Sequence, residues 1–216
     1  MKIIKYISII ILFFGIISCA PRPGTNTDED ADAPLSELGR LNSLIAVDSI
    51  NDSLYRMRSL AYLDRNDINS ALGDINKALQ LNGRSVDNLI TLSDIYLAMG
   101  QAGKVENSLL KAMEIDENHP ALLFKVARFH LIMKDYPTTY AYIDKLLGIE
   151  SYYPQAYFLR ALALLEDRDT VKAVEDLQKV VAQDSEHADA YALLASLYRD
   201  SDAAMAIAYY SNALEL

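Results

Sequence analysis

A spacing of 34 residues recurs through most of this 216-residue chain. Small side chains occupy one position of the repeat five times, at Ser59, Ser93, Ala127, Ala161 and Ala195. Around each of them, apolar or small residues recur at intervals of three and four, which predicts helices with one buried face. The polar pair Asn66-Asp67 lies between two such stretches and predicts a short turn. The repeating unit is therefore predicted to be a helical hairpin whose small residues let its two helices pack closely.

Other positions keep the same period. The first helices match at Tyr55, Leu89, Leu123, Tyr157 and Tyr191, and the second helices match at Ala71, Val105, Thr139 and Ala173. A hairpin of this length and pattern resembles the tetratricopeptide repeat. The resemblance covers roughly residues 52–216 and implies an all-α fold, an α-solenoid of about five helix-turn-helix hairpins. Only Gly100 keeps the family's usual turn glycine, and the usual proline after the second helix is missing. We expect these departures to affect the turns and not the fold.

The period divides the chain into segments. Repeats are predicted at about 52–85, 86–119, 120–153, 154–187 and 188–216, within a repeat domain at 51–216. Residues 35–50 carry leucines at helical spacing and predict an N-terminal capping helix. In the fifth repeat we expect Ile207, Tyr210 and Leu214 to have apolar neighbours on one side only. Since solenoid ends usually carry a polar cap, this C-terminal edge is expected to pack on another surface, a second copy included, unless the natural chain is longer.

The N-terminus has the pattern of a secretory signal peptide. Lys2 and Lys5 precede an almost purely apolar run at 7–17, and the small Ser18 follows. The alternative is an uncleaved anchor helix, but the run is short for a membrane span of about 20 residues.

Residues 16–19, Ile-Ile-Ser-Cys, resemble the lipobox of bacterial lipoproteins. The resemblance implies that residues 1–18 are removed and that Cys19 receives acyl chains such as palmitate, which together give stable membrane anchoring. It also implies a location in the bacterial cell envelope. The residue after the cysteine, Ala20, resembles that of lipoproteins sorted to the outer membrane, and both the periplasmic and the outer face of that membrane are possible locations.

The net negative charge of the chain limits the partners that it is expected to bind. Residues 19–34, which hold Cys19 and the acidic run Asp28-Glu29-Asp30, lack apolar periodicity and predict a flexible linker. The whole chain has a formal charge of −10, and removal of Lys2 and Lys5 with the signal peptide lowers it to −12. Such a chain is not expected to bind nucleic acid. It is also expected to be repelled by anionic headgroups, so the lipid on Cys19 and not a basic patch would hold it at a membrane.

The residues that could carry chemistry are scattered. His119 and His187 fall in turns, where we expect them to be solvated, and His130 falls where the repeat places a packing side chain. A metal site needs several converging ligands, and these three lie in different repeats. The single cysteine is assigned to the lipid, and no glycine-rich phosphate loop is present. We therefore expect that the chain is not an enzyme and that it holds no metal and no cofactor apart from the covalent lipid.

Two repeats share an internal pairing. Arg58 and Arg160 occupy one position of the first helix, and in the same two repeats Asp74 and Asp176 occupy one position of the second helix. The repeats without the arginine also lack the aspartate. This predicts an ion pair within each of the two hairpins, with coincidence among few copies as the alternative.

In tetratricopeptide families the first helices line a concave groove. Carried over by position, the resemblance assigns the groove to Arg56, Leu60, Ile90, Asp94, Leu97, Phe124, Arg128, Leu131, Phe158, Leu162 and Leu165. The lysines and asparagines of the family's carboxylate clamp are replaced here mostly by leucine, isoleucine and phenylalanine. The apolar strip suits an amphipathic helix or an extended apolar peptide, and Arg56, Asp94 and Arg128 would fix its register. The alternative is that these residues pack against adjacent repeats.

The function expected from these features is that of a lipid-anchored adaptor or scaffold in the bacterial envelope, with a protein partner in the groove. It resembles tetratricopeptide lipoproteins that act as pilotins or as adaptors for envelope hydrolases. The alternative is a structural subunit of a multi-protein envelope complex (secretion, pilus or outer-membrane assembly), held through its C-terminal edge. A carbohydrate or small-ligand binder is a third hypothesis, which no tryptophan or polar pocket supports.

Overall fold

The computed structural model describes residues 36–216. This part of the chain is formed by helices, with no strand: α1 (Glu37–Val47), α2 (Asp52–Asp64), α3 (Ile68–Leu81), α4 (Val86–Ala98), α5 (Ala102–Met113), α6 (Pro120–Ile132), α7 (Tyr136–Ile149), α8 (Pro154–Glu166), α9 (Thr170–Gln183), α10 (Ala188–Tyr198) and α11 (Ala203–Glu215). The predicted all-α helical repeat fold is confirmed. The signal peptide at 1–18, the lipidated Cys19 and the linker at 19–34 lie outside the described residues. Within 36–216, no helix combines the length and the apolar character that crossing a bilayer requires.

The helices stack as hairpins. After α1, the pairs α2–α3, α4–α5, α6–α7, α8–α9 and α10–α11 pack together, and each second helix also packs against the first helix of the next pair. The first helices from α2 to α8 contact one another in succession, so they form the inner layer of the stack and the second helices form the outer layer. Helix α1 packs on α2 in the manner of a second helix, with Leu41 and Ile45 buried.

The small residues that define the period lie inside the hairpins. All five, from Ser59 to Ala195, are buried. The two serines among them find hydrogen-bond partners on the backbone: the hydroxyl of Ser59 donates to the carbonyl of Ala71 at 2.8 Å, and that of Ser93 donates to the carbonyl of Ile90 at 2.6 Å. Burial of these polar groups therefore carries no desolvation penalty for an unpaired donor.

The turns within the first four hairpins share one backbone conformation, although only one of them holds a glycine. Gly100 has φ +68°, and the residues at the same repeat position, Asn66, Lys134 and Arg168, have φ of 59°, 59° and 65°. The expectation that missing turn glycines alter the turns is therefore wrong for these three repeats. A left-handed conformation costs a non-glycine residue roughly 1–2 kcal/mol, so the packing of the two helices holds Lys134 and Arg168 in a strained turn.

Candidate functional site

The predicted groove residues lie on the inner layer formed by the first helices. Most of them are half-buried, including Phe124 and Phe158. Ile90 differs, because it is only 7% exposed and packs in a core cluster with Leu89, Val126 and Phe129. Its assignment to the groove surface is wrong: the face of α4 that carries Ile90 is covered by α6.

Aromatic side chains from the loops between repeats pack on the two phenylalanines of the groove. The ring of Tyr153 lies 5.6 Å from that of Phe124, and the ring of His187 lies 4.5 Å from that of Phe158. Tyr153 and His187 are 34 residues apart, as are the two phenylalanines, so the contact is a feature of the repeat. Sequence reasoning missed Tyr153, although its position relative to Phe124 could have identified it. Burial raises the pKa of the Tyr153 phenol, and the charge of Glu150 adds to the shift.

The histidines take up structural positions. His187 is half-buried, and its Nδ1 accepts a hydrogen bond from the N–H of Ala190 at 3.3 Å, so the ring caps α10. His119, at the equivalent position, is also half-buried. Both histidines lie in the predicted turns, directly before α6 and α10, but the prediction that they are solvated is wrong, because both are half-buried. His130 packs beside Tyr142, with ring centroids 6.1 Å apart, and its Nδ1 lies 3.1 Å from Oδ2 of Asp135.

Nearer the turns within hairpins, the groove holds a cavity between the third and fourth repeats. Leu131 on α6 and Leu162 and Leu165 on α8 are half-buried and line a cavity of about 380 Å³. Leu60 on α2 and Leu97 on α4 occupy corresponding inner positions and are also half-buried. These side chains follow one another along the inner layer, and we call them the leucine row: Leu60, Leu97, Leu131, Leu162 and Leu165.

A charged cluster lies in the middle of the inner layer. Both carboxylate oxygens of Asp94 accept hydrogen bonds from the Lys125 amine, at 2.6 and 2.8 Å, and Nη2 of Arg128 lies 3.6 Å from the same carboxylate. Asp94 is therefore engaged within the chain, which argues against its predicted role in fixing a ligand's register. Arg128 keeps 39% of its side chain exposed and remains accessible from the groove. Lys125 was not predicted from the sequence.

The structure brings together the two arginine–aspartate pairs. Nε and Nη2 of Arg160 donate to the two oxygens of Asp176 at 2.6 and 2.9 Å, and those of Arg58 donate to Asp74 at 2.6 and 2.7 Å. These parallel hydrogen bonds raise the pKa of each guanidinium above its ordinary value, against the opposing effect of burial.

Each arginine also reaches the helix that precedes its own hairpin. Nη1 of Arg160 donates to Oδ1 of Asp144 at 2.6 Å, and Nη1 of Arg58 donates to Oδ1 of Asn42 at 2.7 Å. Asn42 and Asp144 lie sixteen residues before their arginines, a relation that sequence reasoning missed. The pairs therefore join three helices across a repeat boundary, and their role is in holding neighbouring repeats together.

The C-terminal edge exposes large apolar side chains. Ile207, Tyr210 and Leu214 on α11 all face solvent, and Leu214 is 86% exposed. Among residues 36–216, no three histidine, cysteine or acidic side chains converge in a way that could hold a metal ion.

Comparisons with known proteins agree with this architecture. The family model of the tetratricopeptide repeat matches residues 86–119, which hold α4 and α5. Anaphase-promoting complex subunit 3 of Schizosaccharomyces pombe is 21% identical over 159 residues, which are 74% of this chain and 24% of that protein. The chain thus spans about a quarter of the length of this relative.

Solved structures share the fold. A structure of pilF from Pseudomonas aeruginosa superposes with a TM-score of 0.71 at 20% identity, covering 79% of this chain and 78% of that one. YrrB, described as a TPR protein with an unusual peptide-binding site, superposes with a TM-score of 0.54 at 16% identity, covering 82% of this chain and 92% of that one. Proteins built from this repeat mediate protein–protein interactions and some bind peptides, and they are typically interaction scaffolds without enzymatic activity.

Proposed function

We propose that the chain is an adaptor of the bacterial cell envelope, anchored by lipid on Cys19, whose leucine row binds an apolar segment of a protein partner. The observation that carries the proposal is the open cavity of about 380 Å³ lined by Leu131, Leu162 and Leu165. A contiguous, accessible apolar surface on a water-exposed domain usually marks an interface. An amphipathic helix or extended peptide could lie along it, with one polar side chain directed to Arg128.

The groove is tested by placing charge in the cavity. Leu131→Glu combined with Leu162→Glu is expected to abolish the capture of one specific protein in crosslinking and co-purification from cells, while helical content stays unchanged. Both leucines are half-buried at the surface of the inner layer, so the variant retains the buried core. If the variant folds and its set of crosslinked proteins matches that of the wild type, the groove is not the binding surface.

The second candidate function, a structural subunit of an envelope complex, is favoured by the exposed apolar residues of α11. Leu214→Glu is the matched variant, since it also places a carboxylate at an apolar surface position but at the C-terminal edge. It is expected to leave the partner of the leucine row bound. Loss of a large assembly with Leu214→Glu, and no effect from the groove variant, would favour the structural role instead.

The anchor is tested separately. Cys19→Ser is expected to move the protein from the membrane fraction to the soluble fraction and to remove the acyl mass from the N-terminal peptide. A membrane location that survives this substitution would exclude anchoring through a lipid on Cys19, whatever the groove binds.

A further inference from the structure

A pocket on the outer layer of the second repeat has no part in the groove. It lies between the second helices α3 and α5, above α4, and has a volume of about 500 Å³. Its apolar lining comes from Leu79, Leu89, Leu92 and the ring of Tyr96, and two lysines of α5, Lys104 and Lys111, stand at its rim. A cavity of this size falls in the range of small-molecule sites, roughly 300–1,000 Å³.

The fourth repeat has the corresponding pocket, of about 420 Å³, with opposite charge. Three cations and five carboxylates line it, for a formal charge of −2. Its lysines, Lys172 and Lys179, are the counterparts of Lys104 and Lys111. Nζ of Lys172 lies 2.7 Å from Asp169, and Nζ of Lys179 lies 3.0 Å from Asp176. Each lysine of this pocket is therefore neutralised by its own chain.

At the positions 68 residues earlier, around the pocket of the second repeat, every one of these carboxylates is replaced by a neutral residue. The counterparts of Asp144, Asp167, Asp169, Glu175 and Asp176 are, in order, Asn76, Met99, Gln101, Asn107 and Ser108. The arginine position is also neutral, because Leu92 stands where the fourth repeat has Arg160. Both lysines are kept. The pocket lining thus carries two positive charges and no carboxylate, in a chain whose formal charge is −10.

The two lysines have no anionic partner within residues 36–216. No carboxylate oxygen of that part lies within 4.0 Å of either amine, and the amine of Lys104 lies over the ring of Tyr96, 5.0 Å from its centroid. The start of α5, one turn from Lys104, also lacks a charged cap. The second helices α3, α7, α9 and α11 begin with an aspartate that caps the helix, whereas Gln101 makes no side-chain capping bond at α5. Anions are favoured at a helix N-terminus.

We propose that this pocket binds an anion carried on an apolar stem, a carboxylate or phosphate joined to an alkyl or aryl group. Lys104 and Lys111 would bind the anionic head, and the leucines with Tyr96 would bury the stem. A simple anion would leave the apolar lining exposed to water, and an uncharged apolar molecule would leave the lysines without a partner. This site lies on the outer layer, so the proposal is independent of the function proposed for the inner groove.

Phenyl phosphate is the probe, because it carries both parts and does not partition strongly into membranes. Added to the full chain in phosphatidylcholine nanodiscs, it is expected to bind once per chain and to shift the amide resonances of Gly83 and Ser108, which border the pocket. Inorganic phosphate and phenyl glucoside, which carry one part each, are expected to bind at least about tenfold more weakly, a difference of about 1.4 kcal/mol. Equal binding of phenyl phosphate and either control overturns the proposal.

The two repeats supply matched variants. Lys104→Gln with Lys111→Gln is expected to weaken phenyl phosphate binding about tenfold, as the loss of two exposed charge pairs implies. Lys172→Gln with Lys179→Gln removes the same charges from the fourth repeat and is expected to leave binding unchanged. Ser108→Asp copies the carboxylate of the fourth repeat and is expected to weaken binding by neutralising Lys111. Equal loss from both lysine pairs would mean that only overall charge matters, which overturns the proposal.

The source of the anion is resolved by adding phosphatidylglycerol to the nanodiscs. Shifts at Gly83 and Ser108 that appear without phenyl phosphate, and disappear in the Lys104→Gln/Lys111→Gln variant, would identify a lipid headgroup as the ligand. Absence of these shifts, together with binding of phenyl phosphate, would identify a soluble amphiphile. No binding of phenyl phosphate and no shift with phosphatidylglycerol would refute the site.

Discussion

The Arg160–Asp176 pair gives the sharpest energetic prediction. Asp176 is 3% exposed, and two of its hydrogen bonds come from Arg160. Arg160→Leu leaves this buried carboxylate with one cation, Lys179, at 3.0 Å. Removal of one partner from a buried pair costs about 3–5 kcal/mol because the other charge stays buried and uncompensated. Since Lys179 remains, we expect the lower end, about 3 kcal/mol.

Removal of Asp176 is expected to cost less stability than removal of Arg160. Asp176→Ser leaves Arg160 with Asp144, whose Oδ1 lies 2.6 Å from Nη1 and which is itself mostly exposed. An unsatisfied polar group costs about 1–3 kcal/mol, so we expect a loss of about 2 kcal/mol. The double variant reproduces Leu92 and Ser108, the pair that the second repeat carries at these positions. We expect it to lose only about 1 kcal/mol, since a neutral, packed pair replaces the ionic one.

The assay is urea unfolding at neutral pH, followed by far-ultraviolet circular dichroism, for the wild type, both single variants and the double variant. The expected signature is a coupling free energy of about 4 kcal/mol between the two positions, the amount by which the two single losses together exceed the loss of the double variant. The same cycle at Arg58 and Asp74 is the matched comparison. The third partner of Arg58 is the neutral Asn42, whereas that of Arg160 is a carboxylate. Asp74→Ser therefore leaves Arg58 without an anion, and we expect it to lower the free energy of unfolding more than Asp176→Ser does. A double variant as unstable as Arg160→Leu, or a coupling near zero, would refute the physical account.

Three further predictions concern turns, caps and a tyrosine. Arg168→Gly should stabilise the chain by about 0.5–1 kcal/mol in urea unfolding, because glycine relieves the left-handed strain at φ 65° at some entropic cost; no gain would mean that the turn is not strained. Hydrogen bonds from the backbone at the start of their helices lower the pKa of the capping carboxyls Asp67, Asp135 and Asp169. The stabilisation from these caps is therefore present above the pKa of the unfolded chain and is lost as pH falls through the lower pKa of the folded chain. Replacement of each by asparagine, an equally good cap, should reduce the loss of stability in acid, measured by unfolding at several pH values. Burial, with a contribution from Asp167, raises the pKa of Tyr140 to about 12. The ultraviolet titration of Tyr140 is obtained by subtracting the titration of Tyr140→Phe. In Asp167→Asn the pKa of Tyr140 should be lower than in the wild type but still above the usual value of about 10; an unchanged pKa would exclude the carboxylate as a cause.

The hairpins could be predicted from the sequence because their cause is local. The small residues from Ser59 to Ala195 recur where two helices approach, and nothing else fits so close a contact. The turns were predicted less well, since the left-handed conformation at Lys134 and Arg168 is imposed by packing of the flanking helices and leaves no glycine in the sequence.

The groove was predicted only in part, because an apolar residue on a first helix can face either the groove or the next repeat. Ile90 and Leu131 look alike in the sequence, yet Ile90 is buried by α6 whereas Leu131 borders an open cavity. The coverage of Phe158 by His187 depends on how far the loop between repeats folds back. Contacts of this kind join different repeats and are not visible in the periodicity of one helix.

The variation among equivalent positions indicates where the repeats have separate roles. Positions inside the hairpins stay small or apolar in every copy because the two helices of each hairpin pack against each other there. At the outer position of Arg160 the copies differ: two hold an arginine paired with an aspartate, and the second repeat holds Leu92 with Ser108. In the fourth repeat, carboxylates of the same hairpin neutralise Lys172 and Lys179, whereas Lys104 and Lys111 of the second repeat stand beside an apolar pocket whose lining holds no carboxylate. The charge of the second repeat is therefore not used in packing its own hairpin, which makes its outer pocket a site to test independently of the inner groove.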